Sequence, residues 1–273
     1  MRWLLLAFLA VFLAPAAPLR ADDLAALQSA PEFTVHYELY TGGLRTLGID
    51  AKAQLEADRY ALTADIHSLG FLNWLFSYHA RHQAGGHLIE GGIRPDLYAN
   101  SGVWNGGSRS VTLSYGSTGP LTVEALPPAT TDEREPVPTD LWAHTVDPLS
   151  LVLAVNRQAD AEAPCSVTVP VFDGRRRYNL HLTPLGAERL QANSYSFFAG
   201  EALRCRVVWE RLAGESHKPE WQAKRPPLTT VWLARFGKRR LWLPVRLETE
   251  SGFGHVVGHM TQVGAASASP ALD

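Results

Sequence analysis

Apolar and polar residues alternate with a period of two along most of this chain. In Phe33-Thr34-Val35-His36-Tyr37-Glu38-Leu39-Tyr40 the odd positions are apolar and the even ones mostly polar, and Thr41-Gly42-Gly43 supplies a turn. Leu47, Ile49, Ala51, Ala53 and Leu55 continue the pattern on a second strand, and Tyr60, Leu62, Ala64 and Ile66 give a third. Such alternation predicts an antiparallel meander with one packed and one wet face. Gly85-Gly86 reads as a two-residue hairpin turn between Tyr78–Ala84 and His87–Ile93. Arg94-Pro95-Asp96 reads as another turn, and Val111, Leu113 and Tyr115 alternate on the strand after it. Residues 116 to 138 hold Pro120, Pro127, Pro128, Pro136 and Pro138 and are expected to be a long loop.

The predicted helix lies beyond that loop: Asp147 caps it, Pro148 fits its first position, and Leu149 to Arg157 continue it. Leu141-Trp142 is expected to turn just before. Six strands follow, over 166–172, 177–182, 203–210, 229–236, 241–250 and 255–263, with Asp173-Gly174 as a strong hairpin signal. Gly252-Phe253-Gly254 and Gly258 read as kinks or bulges in a curved strand.

Two segments break the alternation. Gly70-Phe71-Leu72-Asn73-Trp74-Leu75-Phe76 is apolar on both phases, and is read either as a turn covering the core or as an exposed lip for an apolar ligand. Its candidate contacts are Phe71, Leu72, Trp74, Leu75 and Phe76. At the chain start, Arg2 precedes the apolar run Trp3–Leu13, the Pro- and Ala-rich stretch to Pro18, and Leu19-Arg20-Ala21. That order is the order of a secretory signal peptide. The run is shorter than the roughly 20 residues of a spanning helix. The expectation is cleavage after Ala21, a periplasmic location, and no transmembrane helix in the mature chain; an uncleaved anchor is the alternative. Residues 22–263 then form one β-rich domain, with 264–273 as a disordered tail.

Composition narrows the functions. Without the first 21 residues the chain has 23 basic and 27 acidic residues, which disfavours nucleic acid as a partner. Residues 22–137 hold 7 basic and 14 acidic residues and the remainder 16 and 13, an asymmetry best read as differently solvated faces. The only two cysteines, Cys165 and Cys205, alternate in step with Val167, Val169 and Val171 and with Val207 and Trp209. Two inward thiols in an exported chain point to a disulfide, with two separate buried thiols as the alternative.

Motifs of catalysis are missing. Tyr115-Gly116-Ser117-Thr118-Gly119 is a turn rather than a nucleophile elbow, and no phosphate-binding loop occurs. His255 and His259 on a strand would be about 13 Å apart, too far for one metal. Arg175-Arg176-Arg177 and Lys238-Arg239-Arg240 read as solvated turns before they read as an anionic patch. Trp74, Trp142, Trp209, Trp221, Trp232 and Trp242 read as core before they read as cavity lining. No enzyme activity and no cofactor are therefore expected.

Tyr37-x-x-Tyr40-x-Gly42-Gly43, Gly91-Gly92-Ile93-Arg94-Pro95-Asp96-Leu97-Tyr98, Asp147-Pro148-Leu149-Ser150, Phe172-Asp173-Gly174-Arg175-Arg176-Arg177-Tyr178 and Leu243-Pro244-Val245-Arg246-Leu247-Glu248 occur in that order, followed by Gly252-Phe253-Gly254. In that order they resemble the bacterial exported family called domain of unknown function 3108, from about Phe33 to Met260. The resemblance implies a mostly antiparallel envelope protein without an established activity, and it carries over no site residues. A fold similar to periplasmic lipoprotein carriers would suit it: one large, strongly curved, half-barrel-like antiparallel sheet with a short helix near its concave face. The expected role is binding of a lipid or other apolar small molecule. An envelope assembly factor that binds a protein through a sheet edge is the alternative.

Overall fold

The computed structural model describes residues 33–265 except 71–72, 74–76, 105–106, 117–120, 129–133, 159–163, 218–227, 238 and 252–253. The first meander is β1 (Phe33–Thr41), β2 (Leu44–Leu55), β3 (Arg59–Ser68), β4 (Tyr78–Ile89), β5 (Gly92–Trp104), β6 (Gly107–Ser114) and β7 (Thr122–Leu126). A 3-10 turn (Thr139–Leu141) and helix α1 (Leu151–Gln158) then connect it to a second meander. That meander is β8 (Val167–Phe172), β9 (Arg177–Leu190), β10 (Gly200–Ala213), β11 (Thr229–Phe236), β12 (Leu241–Ser251) and β13 (Gly254–Ala265). All thirteen strands form one antiparallel sheet ordered β7-β6-β5-β4-β3-β2-β1-β13-β12-β11-β10-β9-β8. The first and last strands of the chain thus meet in the middle, where Phe33 to Thr41 pair with Ala265 to Val256.

A large antiparallel sheet with a short helix is what the alternation predicts, but the strongly curved half-barrel is not found. The ladder is open, with β7 and β8 at opposite ends and no pairing between them among the described residues. The edge residues explain this. β7 has only five residues and runs into Pro127 and Pro128, which have no N–H to donate. On the outer edge of β8, the Val146 N–H donates to the Pro170 carbonyl at 2.9 Å and the Phe172 N–H to the Val146 carbonyl at 3.0 Å. That edge is therefore already paired.

Several boundaries need correction. Gly85 and Gly86 lie inside β4, where the pairing with β5 shifts register, so they mark a bulge. A Cβ on Gly86 would sit 2.2 Å from the Arg94 carbonyl oxygen, so only glycine lets the strands approach. Arg94-Pro95-Asp96 lies inside β5 opposite this bulge and does not turn the chain. The expected long loop contains β7, which five prolines within 23 residues obscure. Of the expected kink residues, Gly252 and Phe253 lie outside the described residues, and Gly254 opens β13, paired with Ser251. β13 reaches Ala265, two residues into the expected tail.

Apolar side chains gather on both faces. Val169, Val171, Leu180, Val207, Val231 and Leu233 form one cluster under Ala154 and Val155 of α1. Tyr60, Leu62, Tyr98, Val111, Leu113 and Phe172 form a second, with Leu153 of α1 among them. Trp232 and Ala234, out of phase with Val231 and Leu233 on β11, belong to a third cluster with Val245 and Met260. At the Asp173-Gly174 turn a Cβ on Gly174 would lie 2.3 Å from Val111, and its φ of +86° is one that glycine alone adopts freely.

Cys165 and Cys205 are joined, with Cα atoms 5.3 Å apart, and both are buried in the first cluster. Closing a loop of sequence separation 40 restricts the unfolded chain by about 4 kcal/mol in the loop-entropy treatment. Replacing both cysteines by alanine is expected to lower the unfolding free energy by about 2–4 kcal/mol in urea titrations without changing the folded circular dichroism. Equal midpoints for the two proteins would contradict a stabilising bridge.

Candidate functional site

An apolar cavity of about 310 Å³ lies between α1 and the middle of the sheet. One wall is the odd-numbered face of β1, Phe33, Val35, Tyr37 and Leu39, beside Ile49 and Ala51 of β2. Period-two alternation puts these side chains on one face, and antiparallel pairing sets Val35 against Ala51 and Tyr37 against Ile49. The opposite wall comes from Leu149, Val152, Leu153 and Asn156, which recur at helical spacing along the chain leading into and through α1. No Ser, Cys, His, Asp or Glu is among the described lining residues. Burial pushes the Tyr37 hydroxyl well above the ordinary phenol range. A second cavity of about 180 Å³ lies on the other side of the helix, walled by Trp209 and Trp242, and shares Val152, Pro244 and Leu247 with the first.

Strand β12 is what makes room. Its residues Arg246 to Ser251 pair with His259 to Gly254 of β13. Its first half, Leu241 to Pro244, pairs only with β11, while Met260 to Ala265 pair only with β1. The ladder therefore splits at this point, and Leu243 and Val35 contribute both to the cavity and to the apolar cluster in the split. Asn156 of α1 takes the place of the missing neighbour. Its Oδ1 accepts the Trp242 N–H at 2.7 Å and its Nδ2 donates to the Trp242 carbonyl at 3.0 Å.

The helix that forms the cavity's second wall is held by a buried polar cluster. Asp147 Oδ1 accepts the N–H groups of Leu149 at 2.9 Å and Ser150 at 2.8 Å, the cap expected from the sequence. The Tyr60 hydroxyl lies 3.0 Å from Ser150 Oγ. The Asp147 carboxylate is wholly buried and its Oδ2 has no hydrogen-bond partner, nor has the buried Tyr115 hydroxyl. Burial raises the Asp147 pKa to about 6 against the hydrogen bonds from Ser150 and Leu149, which lower it. Sequence reading identified Asp147 as a cap, but its burial under β3 to β6 depends on residues remote in the chain. His87, whose Nε2 is 3.0 Å from Asp96 Oδ2, is another buried pair that alternation could not reveal.

Arg176, Arg239 and Arg240 are exposed at turns, as expected, but several arginines of the two clusters also tie segments together. Arg175 donates to the Pro127 carbonyl at 2.7 Å, and Arg176 to Asp173 Oδ2 at 2.7 Å. Arg177 is buried and bonds the carbonyls of Leu141 and Tyr178 at 3.1 and 2.7 Å. Arg239 reaches the carbonyls of Leu55 and Glu56 at 3.0 and 3.2 Å, tying the β11–β12 turn to the β2–β3 turn. The tryptophans divide. Trp142 stacks on Phe172 at 5.4 Å in the core, Trp209 and Trp242 wall the second cavity, and Trp232 lies on the opposite face under Arg246. Phe71, Leu72, Trp74, Leu75 and Phe76, the expected lip, lie outside the described residues, as do Trp221 and residues 1–32. Among the described residues no three His, Cys, Asp or Glu side chains are grouped to hold a metal ion, and no helix is long and apolar enough to cross a membrane.

The family model for the protein of unknown function DUF3108 matches residues 32–261, nearly all of the described sheet. The chain belongs to the DUF3108 family. No curated protein matches it in sequence. Among solved structures, it is similar to a beta-barrel-like protein of domain of unknown function DUF1849 from Brucella abortus, at 9% identity and a TM-score of 0.47, over 87% of this chain and 98% of that one. It is also similar to the hypothetical protein CT021 from Chlamydia trachomatis, at 11% identity and a TM-score of 0.30, over 89% and 92% of the two chains.

The Asp147 cap has a measurable pH signature. Its folded pKa of about 6 lies above the ordinary 3.8, so between these values the folded protein holds a proton that the unfolded chain releases. Stability is then highest below about pH 4 for this group, and falls as pH rises through about 6, by at most about 1.4 kcal/mol per pH unit. Asp147→Asn keeps an acceptor for the two N–H groups and is expected to abolish this slope in denaturation curves. The same slope in both proteins would show that Asp147 is not the titrating group.

Proposed function

We propose that this DUF3108 protein is a non-catalytic binding protein of the bacterial envelope, exported to the periplasm, whose cavity holds the acyl chain of a lipid or a similar apolar molecule. The carrying observation is the 310 Å³ cavity beside α1, whose described lining is mostly hydrocarbon, with Tyr37, Lys52, Thr63, Asn156 and Arg246 as its polar side chains. That volume lies in the range of small-molecule sites. Each methylene moved from water into such a lining contributes about 0.8 kcal/mol, so about ten buried methylenes correspond to micromolar affinity before the cost of association.

Export is supported by the order of residues 1–21 and by the Cys165–Cys205 bridge, since disulfides persist outside the reducing cytoplasm. The sheet-edge reading has less behind it. Val146 already occupies the outer edge of β8, and β7 offers only five residues before two prolines.

Titration with cis-parinaric acid, a fatty acid that fluoresces in apolar surroundings, tests the site. The wild-type protein is expected to bind it, and Ala51→Phe, which fills the cavity from β2, to weaken binding at least tenfold while keeping the native circular dichroism. No binding by the wild-type protein, or unchanged affinity in the filled variant, would refute an acyl site here. The intact mass of protein recovered from the periplasm is expected to lack residues 1–21; a full-length mass would refute cleavage.

A further inference from the structure

We propose that the acyl chain enters and leaves sideways, through the split between β12 and β13, and that Asn156 is the latch on this portal. The inference rests on the cavity being a ligand site and adds the route to it. Within the sheet, the wall beside the split is a hydrogen-bonded ladder: β1 pairs with β2 from Phe33 to Thr41, and β2 with β3 from Leu47 to Leu55. Parting those strands breaks a row of backbone bonds, each of which would then face apolar surroundings. Between Leu241–Val245 and Met260–Ala265 no such row exists. The split is filled by side chains alone, with Val245 and Met260 fully buried in it. Leu243 and Val35 line both the split and the cavity, so displacing these side chains connects the two directly.

The edge chemistry favours an apolar occupant over an added strand. Trp242 turns its N–H and its carbonyl away from β11, because Asn156 uses both. In an antiparallel ladder successive residues alternate between the two edges. Residues 241 and 243 therefore face β11, and Pro244 faces the split with no N–H to offer. Along 241–244 the β12 edge facing the split thus offers no free N–H to an incoming peptide, since Asn156 holds that of Trp242 and Pro244 has none. A hydrocarbon chain needs no partner there.

Asn156 and Arg239 set how the portal works. Arg239 fixes the far end of β12 to the β2–β3 turn, and the pairs from Arg246 onward fix the near end. Between these anchors β12 keeps its pairing with β11 on one side and is tied on the other to α1 through the two Asn156 bonds. Their loss lets β12 move away from β13 together with β11, widening the split.

Stopped-flow mixing of the full mature chain with cis-parinaric acid tests the latch. Asn156→Leu keeps the bulk but removes both hydrogen bonds. Uptake and release are both expected to speed up about tenfold, whereas a wall residue that only touched the ligand would change release and leave uptake unmoved. Hydrogen exchange on the wild-type protein gives a second reading that needs no variant: the Trp242 amide is expected to exchange faster than the amides of 246–251, and to slow when the fatty acid is bound. Binding with rates indifferent to Asn156→Leu, or a Trp242 amide as protected as the paired stretch and unmoved by ligand, would overturn the portal while leaving the cavity site standing. No binding by the wild-type protein would overturn both.

Discussion

The carboxylate of Asp147, buried without a partner for one of its oxygens, holds the segment on which the rest of this architecture depends. One chain crosses from β7 at one end of the sheet to β8 at the other, and what it can cover on the way is set by where that cap pins it. Helix α1 has eight residues and is about 12 Å long. It touches β5, β8 and β12 and cannot cover the whole apolar face of thirteen strands. Side chains from the two meanders pack on each other where they can, as Phe172 does with Leu113. Where neither they nor the helix reaches, the cavity remains. Burying a carboxylate is costly, and the cost is met here by two backbone donors and the Ser150 hydroxyl.

The same shortage of cover accounts for the split ladder. If β12 paired with β13 along its whole length, Leu243 and Val245 would be drawn against Met260 and Val263 and the space beneath α1 would narrow. The strand instead follows β11 at one end and β13 at the other, with a register shift near Trp232 and Leu233 where Val245 is the extra residue. Pro244 and Asn156 make the unpaired stretch tolerable, one by lacking a donor and the other by satisfying Trp242 in both directions. A sheet edge inside a protein usually invites another strand. Here Pro244 and Asn156 leave the β12 side of that edge, over 241–244, without a free N–H for a strand to use.

Much of the fold was legible in the residues because alternation is local. β11 spans the same residues, 229–236, that its pattern predicts, and Asp147 caps the chain entering α1 as its position before Pro148 suggests. Gly85-Gly86 misled because a glycine pair marks a hairpin turn and a bulge equally well, and only the Arg94 carbonyl across the ladder decides between them. β7 was hidden by the prolines around it. The pairing of β1 with β13, the split beside Pro244 and the role of Asn156 join residues far apart in the chain, and no local pattern encodes them. Of the arginines 175–177, Arg176 is exposed as its turn suggests, whereas Arg175 and Arg177 reach acceptors from a distant segment, Pro127 and Leu141.

If the cavity exists to hold an acyl chain, protein taken gently from the periplasm should still carry one. Native mass spectrometry of the mature chain, isolated without detergent and compared with the same sample after solvent extraction, tests this most directly. The account predicts a bound species whose extracted mass is that of a fatty acid or lipid and which is lost from the Ala51→Phe variant. A bare chain at the calculated mass, in wild-type protein that also fails to take up added lipid, would contradict it.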